Sequence, residues 1–133
     1  MATAVDTQVR HLVIAAVAAL VIAGCGGGSD EDDVKDAVGA YFKAMGDGDG
    51  ERACALMTPP SRRRLGGRDC AEILSTSAKQ LDDSDRKVMR DVDVGFTTVT
   101  IHGDRAFMQD GPDDNEPIRL EKVDGKWLVD QTD

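Results

Sequence analysis

The chain has 133 residues, which is enough for one small domain, and its 25 acidic against 16 basic side chains give a net charge of −9. Such a charge repels phosphate backbones, so the composition argues against nucleic acid as a partner. The basic cluster Arg62, Arg63, Arg64 and Arg68 is too local to reverse this. We interpret it as a solvated helix face, with contact to lipid headgroups or an acidic partner as the alternative.

The amino-terminal segment has the organisation of a secretory signal. Arg10 and His11 precede an apolar run from Leu12 to Ala23, and the small residue Gly24 and then Cys25 follow it. A basic region, an apolar region and a small-residue site in this order are typical of export signals. The run is well short of the roughly 20 apolar residues that a membrane-spanning helix needs. The sequence therefore predicts export rather than a transmembrane anchor.

The residues Ile22-Ala23-Gly24-Cys25 resemble the lipobox of bacterial lipoproteins. The resemblance implies that residues 1–24 are removed as a signal peptide and that the Cys25 sulfur carries diacylglycerol, often with a further acyl chain on the new amino terminus. Two or more acyl chains hold a protein stably on a membrane. We therefore expect a lipid anchor at the extracytoplasmic face of the cell membrane. An ordinary secretory signal, with no role for Cys25, is the alternative.

Residues 25–33 are predicted to be a tether, and residues 34–133 one domain. Gly26, Gly27, Gly28 and Ser29 form a flexible stretch by composition, and the acids from Asp30 to Asp33 suit the start of a helix. Apolar residues at helical spacing follow and predict a first helix: Val34, Ala37, Val38, Tyr41, Phe42 and Met45.

Three capping signals predict further helices. Asp49 precedes a short apolar segment, Thr58 precedes Pro59 and Pro60, and Asp69 precedes a longer stripe that ends at Leu81. The acidic loop before Asp49 does not match a calcium-binding EF-hand, because Arg52 and Thr58 stand where glycine and glutamate are needed. We interpret that loop as a turn between helices.

Two cysteines remain in the predicted domain, Cys54 and Cys70. An even pair in an exported domain is most simply a disulfide, which here would join the second helix to the fourth. Metal ligation and two buried thiols are the alternatives. Metal ligation lacks a nearby histidine or a C-x-x-C pair, so no metal or cofactor is predicted.

Alternating apolar residues in the second half predict four antiparallel strands. The first is expected from Val92 through Phe96 to Ile101, with a bend near Gly95 to Thr98, and Arg86 to Arg90 before it fit a last helical turn. Turn residues then separate the strands at 102–104, at the polar loop 110–115 and at the hairpin signal Asp124-Gly125. The predicted fold class is α+β, with the helices covering one face of a curved four-stranded sheet.

This pattern resembles the nuclear transport factor 2-like superfamily, which includes SnoaL-like proteins and has a cone-shaped, cystatin-like α+β fold. The likeness lies in Val34 to Met45 with Gly48-Asp49-Gly50, in Val99 to Ala106, and in Asp124 to Val129. Enzymes of the family hold a catalytic acid in a pocket between helices and sheet, often with a tyrosine or histidine. No such residue can be matched in this chain, so no catalytic residue is assigned.

The family resemblance implies a pocket, and five aromatic residues are candidates to line it: Tyr41, Phe42, Phe96, Phe107 and Trp127. The same residues would otherwise simply form the core. We expect a membrane-anchored, non-catalytic domain that binds a small apolar ligand or a protein partner. A small isomerase, dehydratase or hydrolase of the same fold is the alternative, and a homodimer formed through the open face of the sheet is a third interpretation.

Overall fold

The computed structural model describes residues 29–110 and 116–132. The predicted signal peptide, the predicted lipidation site Cys25, the glycines that follow it and residues 111–115 of the polar loop lie outside the described residues. The expectations for these segments stay predictions. None of the helices in the described ranges has the length and apolar composition that crossing a bilayer requires.

The predicted α+β architecture is confirmed: helices come first and a four-stranded antiparallel sheet follows, in the order β1-β2-β3-β4 and not closed into a barrel. The helices are α1 (Asp30–Asp47), α2 (Gly50–Ala55), α3 (Pro59–Arg64), α4 (Cys70–Gln80) and α5 (Asp83–Arg90). The strands are β1 (Thr98–His102), β2 (Arg105–Gln109), β3 (Ile118–Val123) and β4 (Lys126–Asp130).

Side-chain caps explain where most of the helices begin. The side chains of Ser29, Asp49, Thr58 and Asp82 each accept a hydrogen bond from a backbone N–H in the first turn that follows. Asp69 occupies the predicted position before α4 but makes no capping bond, because a single 3₁₀ turn (Gly67–Asp69) leads directly into that helix. The acids from Asp30 to Asp33 form the first turn of α1.

The sheet buries one face against α1. Ile101, Ala106, Leu120 and Val129 are paired across the four strands, and the last three of them are at most 3% exposed. Val34 and Val38 of α1 are fully buried in the same core. Residues two apart on a strand share a face, so this row fixes the register of the whole sheet.

The outer edge of β4 is paired by the segment before α3. The backbone N–H of Thr58 donates to the Val129 carbonyl at 2.9 Å, and the Val129 N–H donates to the Leu56 carbonyl at 2.8 Å. This bridge gives hydrogen-bond partners to backbone N–H and C=O groups that an edge strand would leave unpaired. It also places the start of α3 next to the end of the sheet.

The disulfide between Cys54 and Cys70 is present and joins α2 to α4. Cys70 is fully buried and Cys54 is 9% exposed. The two helices approach so closely that the backbone N–H of Gly50 donates to the Ser75 hydroxyl at 3.0 Å. The predicted link between the second and fourth helices therefore rests on both a covalent bond and close backbone packing.

The strand predicted over Val92 to Phe96 is wrong. Gly95 and Phe96 form a turn, the three residues before them have no regular secondary structure, and β1 begins only at Thr98. The Thr97 hydroxyl and N–H both donate to the Val94 carbonyl, at 2.6 and 3.3 Å, which closes the turn. The residues before it also differ from the expectation, because Arg86 to Arg90 belong to α5, a separate helix that Asp82 caps.

Candidate functional site

A cavity of about 650 Å³ lies between α1, α5 and the end of the sheet at which β3 begins and β4 ends. Its volume is in the range of small-molecule sites. Residues from α1, α5, β3 and β4 and from the segments next to the two strands line it: Tyr41, Phe42, Met45, Met89, Glu116, Pro117, Ile118, Arg119, Val129, Asp130 and Gln131.

The helical wall of the cavity is apolar. Tyr41, Phe42 and Met45 lie on the inner side of α1, where residues one turn apart share a face, and Met89 comes from α5. The rings of Tyr41 and Phe42 meet edge to face, with centroids 5.8 Å apart. This wall offers aromatic faces and flexible thioethers, which adapt to apolar ligands of different shapes.

The Tyr41 hydroxyl is held by Gln131, the residue that follows β4. Gln131 Nε2 donates to Tyr41 Oη at 3.1 Å, and Tyr41 is 8% exposed. Burial raises the pKa of this phenol, and the hydrogen bond from Gln131 opposes only part of that increase. Tyr41 is therefore neutral at physiological pH, and its own O–H proton stays available to an acceptor on a ligand.

Asp130 is the carboxylate built most firmly into the site. Its Oδ1 accepts hydrogen bonds from Ser61 Oγ at 3.0 Å and Thr58 Oγ1 at 3.1 Å, and from the Thr132 hydroxyl and N–H at 2.7 and 3.2 Å. Partial burial would raise the pKa of this carboxyl, but the donors from Thr132, Ser61 and Thr58 outweigh it and lower the pKa. Asp130 is consequently ionised, which suits a fixed acceptor rather than a proton donor.

Two further charged residues line the cavity. Glu116 is exposed, and Arg119 is half-buried and directly paired with Asp130 in the register of β3 and β4. The charges of Arg119 and Asp130 are opposite and lie next to each other on neighbouring strands. The cavity thus combines an apolar helical wall with a polar end on the sheet.

The structure brings together two of the five predicted pocket aromatics, Tyr41 and Phe42. Trp127 is buried in the core, where its Nε1 donates to Asp30 Oδ1 at 3.4 Å. Phe107 alternates with buried Ala106 and Met108, so it lies on the other face of the sheet, beside a smaller cleft of about 290 Å³. Arg119 and Asp130 are paired in the same cross-strand row as Phe107 and line both this cleft and the cavity. The predicted homodimer through that outer face stays a prediction.

Phe96 does not lie in the cavity, because the strand that was expected to direct it inward does not form. Its side chain is 89% exposed. His102, at the end of β1, is exposed, as expected for a residue next to a turn.

Sequence reasoning missed the residues at the polar end of the cavity. Asp130 ends β4 and Gln131 follows it, and nothing in their spacing links them to Ser61 or Tyr41. Met89 was missed because the sequence analysis predicts only a last helical turn for Arg86 to Arg90 and not a separate helix. The capping pattern Asp82 to Asp85 was the available signal, since the Asp82 side chain accepts from the Asp85 N–H at 2.8 Å.

Within the described residues, no group of three or more histidine, cysteine or acidic side chains is arranged to hold a metal ion. Comparison of the chain with protein-family models, with curated proteins and with solved structures returned no match. The interpretation of the site therefore rests on its own geometry.

Proposed function

We propose that this chain is an exported, lipid-anchored membrane protein whose single domain binds a small apolar ligand in the cavity beside Tyr41, without catalysing a reaction. The cavity carries the proposal: it has about 650 Å³ of space and a helical wall made of Tyr41, Phe42, Met45 and Met89. Its size and mixture of apolar wall and few polar groups are those of ligand sites.

The lipobox-like sequence before Cys25 supports the anchor. The arrangement of helices on one face of a four-stranded antiparallel sheet, with a cavity between them, agrees with the proposed relation to the nuclear transport factor 2-like superfamily. A protein partner on the outer face of the sheet is the other form that a non-catalytic role could take.

The state of Asp130 favours binding over catalysis. An acid that transfers protons near neutral pH needs a raised pKa, usually from desolvation. Asp130 has the opposite environment, since hydrogen-bond donors lower its pKa. The alternative of a small isomerase, dehydratase or hydrolase would have to use Glu116, the other acid that lines the cavity, which is exposed.

The neutral fluorescent probe N-phenyl-1-naphthylamine tests the binding site. We expect saturable binding to the parent chain and roughly tenfold weaker binding to Met89→Trp, because the indole would fill the cavity. Val88→Trp is the matched control, since Val88 is the neighbouring residue of α5, is 69% exposed and does not line the cavity. Equal binding by Met89→Trp and the parent would contradict the site.

The anchor is tested separately, by fractionation and mass spectrometry of the chain expressed in bacteria. We expect the parent in the membrane fraction, cleaved after Gly24 and carrying acyl chains on Cys25. Cys25→Ser should carry no acyl chains, and it should be released from the membrane fraction or mislocalised. If Cys25→Ser were found in the membrane fraction to the same extent as the parent, the proposed anchor would be contradicted, whereas the proposed ligand site would not be affected.

A further inference from the structure

The segment around α3 is the basic part of an acidic chain. It carries four arginines, Arg62, Arg63, Arg64 and Arg68, which together are called the basic surface below. No acid stands between Ala53 and Arg68, although the chain has 25 acidic side chains. Among the described residues, no acidic side chain forms an ion pair with Arg62, Arg63 or Arg68. The positive charge of these three residues is therefore not neutralised by that part of the chain.

The helix α3 turns these arginines outward. Ser61 is 1% exposed and points into the domain, and successive residues of a helix are rotated by about 100°, so Arg63 stands on the opposite side. Arg62 and Arg64 flank Arg63 on either side. Arg63 and Arg64 are exposed, Arg62 is half-buried, and Arg68 is exposed in the 3₁₀ turn that follows. The basic surface is thus open to a partner from outside the domain.

An exposed apolar side chain lies beside the basic surface. Ile73 of α4 is 40% exposed, and its Cδ1 lies 3.1 Å from the position that a Cβ at Gly66 would occupy. Gly66 stands between Arg64 and Arg68 in the chain. Arginines next to an exposed apolar residue are typical of surfaces that bind a bilayer, because the cations attract anionic headgroups while the apolar side chain enters the interface.

The tether allows the basic surface to reach the bilayer. Asp30 Oδ1 accepts from Trp127 Nε1 near the start of β4, whereas Ser61 Oγ donates to Asp130 at the end of that strand. Trp127 and Asp130 are three residues apart, or about 10 Å along a strand. Asp30 follows Cys25 by five positions, which can span up to about 18 Å. If Cys25 is lipidated, as in the proposed function on which this inference rests, α3 can touch the surface that holds the lipid.

We propose that the basic surface binds the headgroups of anionic phospholipids and is a second membrane contact beside the lipid on Cys25. Arginine pairs with phosphate oxygens through two parallel hydrogen bonds. Each basic residue close to an anionic bilayer strengthens the attraction roughly fivefold. The chain as a whole has a net charge of −9, so the same bilayer repels the rest of the domain. Attraction on one side and repulsion on the others fix a single orientation.

This orientation brings the cavity close to the membrane. Arg64 Nη1 donates to the Gln131 carbonyl at 3.3 Å, and Ser61 Oγ binds both Asp130 and Gln131. Because Asp130 and Gln131 line the cavity, its polar end lies next to α3. An apolar ligand that dissolves in the bilayer would have a short path to the site.

Quenching by brominated lipids tests the contact. The full chain, expressed in bacteria and carrying Ile73→Trp, is placed in vesicles of phosphatidylcholine with bromine on the acyl chains, with or without phosphatidylglycerol. Thr100→Trp is the control reporter, since Thr100 is exposed on β1, at the opposite edge of the sheet from β4. Both variants retain Trp127, so the parent chain supplies the background.

We expect the added fluorescence of Ile73→Trp to be quenched roughly twofold or more in vesicles that contain phosphatidylglycerol, and that of Thr100→Trp to be unchanged. The quenching should disappear in phosphatidylcholine alone. It should also disappear in about 1 M salt, where the screening length is only about 3 Å.

Two double variants in the Ile73→Trp chain test the charges. Arg63→Gln with Arg68→Gln removes two charges from the basic surface, and we expect binding to the headgroups to weaken roughly tenfold or more. Lys87→Gln with Arg105→Gln is the matched control, because it removes two exposed charges from α5 and β2. The quenching should be lost in the first double variant and kept in the second.

Equal quenching of Ile73→Trp and Thr100→Trp would overturn the proposal, as would quenching that does not depend on phosphatidylglycerol. A spectral shift of Ile73→Trp that depends on protein concentration and persists in phosphatidylcholine would indicate a protein partner and would also overturn it. The acyl mass on Cys25 is measured in the same samples. Acylated protein without quenching contradicts only the basic surface, whereas unacylated protein contradicts the anchor and this inference together.

Discussion

Ser61 Oγ donates to Asp130 Oδ1 at 3.0 Å and accepts from the backbone N–H of Gln131 at 2.8 Å. One hydroxyl in the first turn of α3 thus binds the last residue of β4 and the residue that follows it. The Thr58 hydroxyl, which caps the same helix, lies 2.8 Å from Ser61 Oγ and also reaches Asp130. Because Asp130 and Gln131 line the cavity, this buried network determines the shape of its polar end.

The network predicts a specific dependence of stability on pH. The pKa of Asp130 is lower in the folded chain than in a free aspartate, so its contribution is fully present above about pH 5 and is lost as the pH falls through the folded value. We expect Asp130→Asn to lower the free energy of unfolding by about 1–2 kcal/mol at pH 7. Urea unfolding at a series of pH values should show the difference from the parent shrinking below about pH 4.

Asp124→Asn is the matched control for this measurement. Asp124 is exposed in the β3–β4 hairpin with φ of 51°, a conformation that asparagine also adopts. We expect no comparable loss of stability. A difference between Asp130→Asn and the parent that is independent of pH would contradict the role of the carboxylate charge.

The disulfide should account for a large share of the stability of the domain. Cys54 and Cys70 are 16 residues apart. Closing a loop of this size lowers the conformational entropy of the unfolded chain, which raises the free energy of unfolding by about 3 kcal/mol. We expect the double variant Cys54→Ser, Cys70→Ser to melt roughly 10–20 °C below the oxidised parent. Reductant should lower the melting temperature of the parent and leave the variant unchanged; a parent that melts identically with and without reductant would contradict this.

Two glycine substitutions should have opposite effects. A methyl group at Gly50 would lie 2.0 Å from the Ala71 carbonyl oxygen and 2.3 Å from Ser75 Oγ, so Gly50→Ala forces α2 away from α4. We expect a loss of about 2–3 kcal/mol. A methyl group at Gly39, inside α1, would meet only Val94 at 3.9 Å, so Gly39→Ala should stabilise by about 0.5–1 kcal/mol. Chemical denaturation measures both, and a loss at Gly39 as large as that at Gly50 would contradict the packing.

The helical half of the fold could be read from local signals. The stripe of Val34, Val38 and Tyr41 has the period of a helix, and the side chains of Asp49 and Thr58 cap helices as predicted. The hairpin at Asp124-Gly125 also follows from sequence, because both residues need positive φ and take values of 51° and 78°. Each of these signals is complete within a few neighbouring residues.

The strand expected at Val92 to Phe96 shows where a prediction from neighbouring residues alone fails. Alternation of apolar residues fits a strand, but a strand also needs a partner with free backbone groups. The partner of this segment is instead the side of α1, where Lys35 donates to the Gly95 carbonyl at 3.4 Å. The orientation of Phe96 follows from that contact and could not be read from its position in the chain.

By itself, the sequence determined the α+β class, most helix starts, the turn between the last two strands and the pairing of Cys54 with Cys70. Only the tertiary structure decided which residues form the cavity, because Tyr41 and Gln131 or Ser61 and Asp130 meet across 90 and 69 positions of the chain. Periodicity and capping act over one or two turns, whereas a site depends on the packing of distant segments. The register of the sheet against α1 places Tyr41 in the cavity, and the contact of Gly95 with α1 leaves Phe96 outside it.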